Sequence, residues 1–302
     1  MSVYVIDAET YYDKEYSLSK ISVEQYVNDP RFEVIGLAVK KDHEPTEWFS
    51  GTMQETGDWL SKFNFSESVV VMHNAVFDYT ILNWAFGIRP KIVLDTLSMA
   101  RAVHGTEVGG SLKALTEHYG FGAKGTEVLN ALGKRRCDFS EAELEAYAGY
   151  CINDVELTYQ LFGELIKRFN KTELQLIDMT MRMFVEPALL LDTAVLEDSL
   201  YDIRERKVQA LLDCGVAKED LMSNNKFAEA LRNLGVEPPM KTSPTTGKPT
   251  YAFAKKDEDL LALLDHPDIR VQTIVASRLQ VKETLEETKT QRLIEVAGRT
   301  NN

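Results

Sequence analysis

The sequence predicts an α/β fold over residues 1–172 and a mainly α-helical segment over 173–302. Three observations carry this. Short apolar runs alternate with amphipathic stretches as far as Asn170, the order of a sheet packed with helices. After that point strand patterns nearly vanish and helical periodicity takes over. Acidic residues also stand at strand ends and inside a long helix of the first part, where a charge facing the sheet needs a partner.

The elements follow in order. VYVID is a strand, and FEVIGLAVK and EPTEWFS are two more, expected as antiparallel neighbours. A helix from Glu55 to Lys62 leads to SVVVMH, a buried-strand pattern ending at His73 and Asn74. FDYTILNWAF suits a helix stopped at Gly87, and IVLD is a short strand whose Asp95 caps the helix TLSMARAVH. Ser111 opens SLKALTEHY, closed by Gly120. The Gly- and Lys-rich stretch GFGAKGTEVLNALGKRR reads as an exposed connection. Ser140 and Glu143 make a capping box for a helix running past Asp154 towards Arg168. Beyond the boundary, ELQLIDMTMRMFVEPALLLD is a helix interrupted at Pro187, and TAVLEDSLYDIRERKVQALLDCG is a second. The polar loop EPPMKTSPTTGKPT then precedes one helical run from Ile269 to Ala297.

Four acids in three segments stand out by their spacing. Asp7 and Glu9 close the first strand and, two apart, point to one face. Asp78 follows the strand that ends at His73. Tyr150 and Asp154 lie four apart on a helix, hence on one side of it. Together they offer oxygen ligands for hard divalent cations beside a phosphate, with a phenol placed to hydrogen-bond a water. Taken singly, a D-x-E pair is more often solvated charge, and Asp78 equally suits a first-turn acid of a helix. The order of all three segments is the specific signal.

In that order the chain resembles the tyrosine subclass of the DEDD superfamily of 3′→5′ exonucleases. Asp7 and Glu9 match its first motif, Asp78 its second, and Tyr150 with Asp154 its third. The resemblance implies a ribonuclease H-like fold and two divalent ions, Mg²⁺ with Mn²⁺ able to substitute. It implies that Asp7 bridges the ions, that Glu9 and Asp154 complete the one activating water, and that Asp78 serves the other. Tyr150 then orients the water, because a phenol keeps its proton at neutral pH. Asn74 is a candidate to steady the terminal nucleotide and Phe77 to stack on its base.

The second part resembles the thumb that opens the polymerase module of bacteriophage-type family A DNA polymerases, through FVEPALLLD, KTSPTTGKPTYAF and SRLQVKETL. Palm and finger motifs are missing, so no polymerisation is expected of this chain alone. It reads as a piece of a longer enzyme or as one product of a split gene, with palm and fingers on a separate chain. The thumb-like resemblance makes Lys241, Lys248, Arg278 and Lys282 candidates for holding duplex phosphates.

Composition sets bounds on this reading. The net charge is −13, with 17 basic and 25 acidic residues up to Thr172 and 17 and 22 after it, so neither part is a basic duplex binder. Bound cations would supply positive charge where the phosphate sits. Three cysteines in no metal-ligand pattern and no signal-peptide pattern point to a cytoplasmic protein, in the bacterial host's cytoplasm if phage-encoded. The expected function is proofreading on single-stranded DNA 3′ ends, releasing nucleoside 5′-monophosphates. Two alternatives stay open: an RNA 3′-end-trimming enzyme of the same chemistry, and a non-catalytic subunit that grips DNA.

Overall fold

Strand β1 (Val3–Thr10) lies at the centre of the first unit, and the rest of that unit is built on its two faces. The computed structural model describes residues 1–122 and 131–300, divided into units Met1–Leu189 and Leu190–Asn302. After β1 come α1 (Val23–Val27), β2 (Val34–Lys41), β3 (Glu47–Phe49), α2 (Met53–Leu60), β4 (Val69–Met72) and α3 (Val76–Thr80). The unit continues with β5 (Ile92–Asp95), α4 (Thr96–His104), α5 (Leu112–Tyr119), α6 (Glu141–Leu165) and α7 (Lys171–Val185). Among the described residues its strands form one mixed sheet, ordered β3-β2-β1-β4-β5. The β2 and β3 neighbours are antiparallel, as the sequence predicted, and β4 and β5 run parallel to β1. This is the ribonuclease H-like arrangement expected of the chain.

The alternation of β1 sorts its side chains between two cores. Tyr4, Ile6 and Ala8 join one with Tyr79 and Leu82 from the chain after β4. Val5 joins the other with Val71, Leu94, Cys151 and Val155, so α6 covers the odd-numbered face. Each large apolar side chain buried this way stabilises the fold by about 1.5–3 kcal/mol. Asp7 and Glu9 continue the odd-numbered line beyond Val5, towards the same helix. The register of β1 with β2 shifts between Glu9 and Thr10, a bulge that ends regular pairing at the acids. Opposite Glu9 stands Gly36, where a Cβ would fall 2.2 Å from Cζ2 of Trp48; this position has room only for glycine.

Helix α7 stays with the first unit, so the structure divides one helix later than the boundary expected at 172. The reason is its hold on the edge strand. Asp178 accepts the Val93 backbone N–H at 2.7 Å, and Arg182 donates to the carbonyls of Pro90 and Lys91. These bonds satisfy strand-edge groups that β5 leaves unpaired. Met181 and Val185 of α7 also enter the core of β1. Pro187 follows soon after the helix ends, consistent with the interruption read from the sequence.

The second unit contains α8 (Thr193–Cys214), α9 (Lys218–Met222), α10 (Asn224–Asn233), α11 (Glu258–Ala262), α12 (Ile269–Lys282) and α13 (Leu285–Thr300). Between α10 and α11 lies a hairpin, β6 (Met240–Thr242) and β7 (Pro249–Tyr251). The sequence predicts a polar loop here. Its prolines masked the strands, but Gly247, at φ +67, and the Ser243 N–H to Lys248 carbonyl bond close a regular turn. The helical run expected from Ile269 to Ala297 breaks into two at Glu283. Leu221, Phe227, Leu231, Phe253, Leu260 and Val275 fill this unit's core. Among the described residues no helix is long and apolar enough to cross a membrane.

Candidate active site at the end of the central strand

Asp7 and Glu9 reach the site because β1 carries them there, two residues apart and on the face that α6 covers. Asp78 arrives from a different direction. The chain leaves β4, turns through Asn74 at φ +64, and starts α3. Asp95 holds that turn by accepting the N–H groups of Asn74 at 2.8 Å and Ala75 at 3.2 Å. It also caps α4 through the N–H groups of Leu97 and Ser98, so it does more than the capping the sequence suggested. With the turn fixed, the Asp78 side chain accepts the Ala8 N–H at 3.1 Å, midway between Asp7 and Glu9 along β1.

This placement has an electrostatic signature. Burial, and then the charge of Asp7, push the Asp78 carboxyl well above the ordinary carboxylate range; Glu9 adds to the rise, while the Ala8 N–H opposes it. Asp78 is 5% exposed. Like charges gathered in a sheltered place favour either a proton or a cation.

Helix α6 brings the third segment. Asp154 is buried on it, and both Asp7 and Asp154 act on the thiol of Cys151 between them, which burial above all pushes up. Tyr150 is half-buried beside Tyr147, Ile35 and Ala131. Thus Asp78 stands against β1 between Asp7 and Glu9, while α6 sets Cys151 against Asp7, with Tyr150 preceding it and Asp154 three residues further along the helix.

Two side chains on α6 were not singled out in the sequence. Tyr147 donates to Glu9 Oε2 at 2.7 Å, and burial followed by the charge of Glu9 pushes its hydroxyl pKa up, so it stays a donor. Cys151 Sγ lies 3.3 Å from Asp7 Oδ2, and Asp7, Glu9 and Cys151 place ligand atoms within 4.8 Å of one another. Their signal was available: residues 147, 151 and 154 follow the i, i+4, i+7 spacing of one helix face.

The remaining candidates divide. Asn74 has an exposed side chain next to the site. Phe77 is half-buried, with its ring edge-on to Tyr26 at 5.6 Å, which commits much of it to core packing rather than base stacking. In the second unit Lys248 is exposed on the hairpin, while Lys241 is bound to both carboxylate oxygens of Asp257. Lys282 is exposed, with Nζ 3.3 Å from Asn224 Oδ1.

Arg278 requires a correction, because at 1% exposure its guanidinium is not presented to a phosphate. It lies 4.2 Å from the Phe227 ring centre and 4.8 Å from that of Phe253 and donates to Leu221 and Ser223 carbonyls and to Asn224. Part of the Gly- and Lys-rich connection, 123–130, lies outside the described residues. Past it, Lys134 and Arg135 pair with Glu143 and Glu33.

Residues 26–170 match the family model described as a 3′-5′ exonuclease, a span that includes Asp78, Tyr150 and Asp154 and begins after Asp7 and Glu9. No curated protein matches the chain. Among solved structures, the POL domain of Pol1 from M. smegmatis, in complex with DNA primer-template and dNTP, is 14% identical. That match covers 99% of this chain and 46% of that one, with a TM-score of 0.51. Escherichia coli RNase D, an exoribonuclease involved in structured RNA processing, is 16% identical over 78% of this chain and 56% of its own, with a TM-score of 0.45. Brucella melitensis NrnC is 15% identical over 61% and 82%, with a TM-score of 0.43. Over residues 26–170 this chain is thus similar to the 3′-5′ exonuclease family.

Proposed function

We propose that the first unit is a divalent-metal-dependent exonuclease that removes nucleoside 5′-monophosphates from DNA 3′ ends, serving as the proofreading part of a bacteriophage-type family A polymerase. The observation that carries the reading is that Asp78 bonds to β1 between Asp7 and Glu9, while the helix bearing Tyr150 and Asp154 touches both β1 acids through Tyr147 and Cys151. The donor set fits hard cations: it is carboxylate-rich, and burial, with the charge of Asp7 after it, pushes the Asp78 carboxyl well above the ordinary carboxylate range. Asp7, Glu9 and Asp154 would hold one ion and Asp7 with Asp78 a second, Mg²⁺ by preference and Mn²⁺ in its place. When bound, such ions neutralise charge developing on the phosphate and lower the pKa of water.

The chain's own groups do the rest. Tyr150 orients the attacking water through its phenol, while Asn74 steadies the terminal nucleotide. The bond broken joins phosphorus to the 3′ oxygen of the penultimate nucleotide, which leaves as the hydroxyl. A mispaired end frays at least cost and so reaches the site first. Preference for DNA over RNA is supported by the second unit, since the likeness to the Pol1 domain extends over nearly the whole chain. Lys248 and Lys282 would then contact duplex phosphates, with palm and fingers supplied by a separate chain or by a longer form of this one, in the cytoplasm.

The test is digestion of 5′-labelled single-stranded DNA and RNA of one sequence, with Mg²⁺, with Mn²⁺ and with EDTA. The expected result is a DNA ladder shortening from the 3′ end, abolished by EDTA. In Asp7→Ala or Asp154→Ala its rate falls about a thousandfold or more, matching several kcal/mol of lost charge stabilisation. Equal cleavage by these variants would remove the assigned site. Faster digestion of RNA would favour the trimming enzyme, and DNA binding without cleavage the gripping subunit.

A further inference from the structure

We infer that Tyr147 and Cys151 are positioning residues, two hydrogen-bond donors on one face of α6 that fix the orientation of the Glu9 and Asp7 carboxylates. The inference rests on the reading of those acids as metal ligands and adds the groups that aim them. Tyr147 Oη lies 2.7 Å from Glu9 Oε2, and Cys151 Sγ lies 3.3 Å from Asp7 Oδ2 and 3.4 Å from the Asp7 carbonyl. Tyr147 is 3% exposed and Cys151 is fully buried.

The pairing is a matter of two matching repeats. Four residues of helix advance about 6 Å, and two residues of strand advance about 6.7 Å. A helix lying antiparallel to a strand therefore keeps step with it, position 147 meeting 9 and 151 meeting 7. The next pair in the series, Val155 and Val5, occupies the same apolar core. The two donors thus sit in the last two places of a packing register whose earlier places are hydrophobic. Below, the register excludes water; at the acids, it presents hydrogen-bond donors.

Such donors matter because a carboxylate at a strand end can rotate about its last bond, and each orientation offers ions a different oxygen. Tyr147 takes one oxygen of Glu9, and Cys151 takes one of Asp7. The phenol is itself held, with its ring stacked on Phe139 at 5.4 Å. Asp78 is treated in the same way from the other side, through the Ala8 N–H. Partners of this kind, one step removed from the ion, typically change metal affinity or activity 10- to 100-fold. A tyrosine buried for packing alone would contribute to stability without affecting the ions.

The experiment measures Mn²⁺ binding to the full chain by titration calorimetry, alongside the Mn²⁺ concentration giving half-maximal DNA hydrolysis and the thermal midpoint. The variants are Tyr147→Phe, Cys151→Ala, Cys151→Ser and Asp7→Ala. Tyr147→Phe, which keeps the ring, is expected to weaken Mn²⁺ binding about tenfold and to move the half-maximal concentration by the same factor. Cys151→Ala has a smaller effect because a thiol is a weak donor, and Cys151→Ser recovers part of it. If Tyr147→Phe and Cys151→Ala bind Mn²⁺ like the parent while Asp7→Ala does not, the positioning role is wrong and the site stands. If Asp7→Ala also binds like the parent, the acids are not the ligands and the positioning role falls with them. Equal losses in Cys151→Ser and Cys151→Ala would remove Cys151 from the inference.

Discussion

Each unit of this protein buries charge, and it does so in opposite ways. In the first, Asp78 is brought beside Asp7 and Glu9, and burial plus like charge push its carboxyl up. In the second, Arg278 is as deeply enclosed, yet carbonyl oxygens, an amide oxygen and two aromatic faces surround it. One environment leaves negative charge seeking a cation, whereas the other provides for the charge it holds. Spacing in the sequence marks the first place as functional, and the thumb-like resemblance marks the second. Their surroundings separate a site prepared for a ligand from a charge used as a packing element.

The largest effect expected from breaking this contrast is in the second unit. Burial lowers the Arg278 guanidinium to about 10, so it remains charged at neutral pH, and its two terminal nitrogens donate to oxygen acceptors while Nε is buried without a hydrogen-bond partner. Arg278→Met removes these bonds, leaves the buried Leu221 carbonyl without this partner at about 1–3 kcal/mol, and also removes two cation–π contacts. Relief of the arginine's own desolvation offsets part of this, giving a net loss of roughly 2–4 kcal/mol. Denaturant unfolding should show the loss, while hydrolysis of single-stranded DNA keeps its rate. A stable variant with weakened duplex binding would return Arg278 to the phosphate contacts.

A smaller effect of opposite sign is expected in the first unit. Because the Asp78 carboxyl is pushed up, the folded protein holds that proton more tightly than the unfolded chain does. Its contribution to stability is complete below the ordinary carboxylate range and is lost as pH rises through the raised value. Asp78→Asn keeps the acceptor for Ala8 N–H and carries no charge. Without metal at pH 8 it should melt higher than the parent, on the order of a few degrees, and near pH 4 the advantage should close. Saturating Mn²⁺ should reverse the order, because the parent gains a ligand. A metal-free parent that melts higher than Asp78→Asn at pH 8 would show that the acids do not repel one another.

The contrast also shows what could be read in the sequence. The β1 acids and the Tyr150–Asp154 pair were legible because strand and helix repeats fix which side chains share a face. Tyr147 and Cys151 share the α6 face as well, but their partners depend on the register between α6 and β1, which no local pattern contains. Arg278 was misassigned for a more correctable reason. Val271, Ile274, Val275 and Val281 are buried on α12, and 278 falls on the same i, i+3, i+4, i+7 stripe. Its periodicity pointed inwards, against its charge. The hairpin was hidden by prolines, and α7 stayed with the first unit through Asp178 and Arg182, polar contacts that hydrophobic patterning does not register.

The smallest effect concerns charge left at the surface, where neither kind of burial operates. Lys248 is exposed on the hairpin, but Lys241 nearby is spent on Asp257, whose carboxyl it holds below the usual range. A lysine free to meet a phosphate releases about one counterion when DNA binds. Lys248→Ala should therefore make the slope of log affinity against log salt shallower by about one, with duplex affinity falling a few-fold near physiological salt. Fluorescence anisotropy with a labelled primer-template measures both quantities. The thermal midpoint should not move, since substitutions at exposed positions usually change stability by less than about 0.5 kcal/mol. An unchanged slope would mean that this hairpin does not touch DNA, leaving Lys282 as the exposed candidate for the second unit's phosphate contacts.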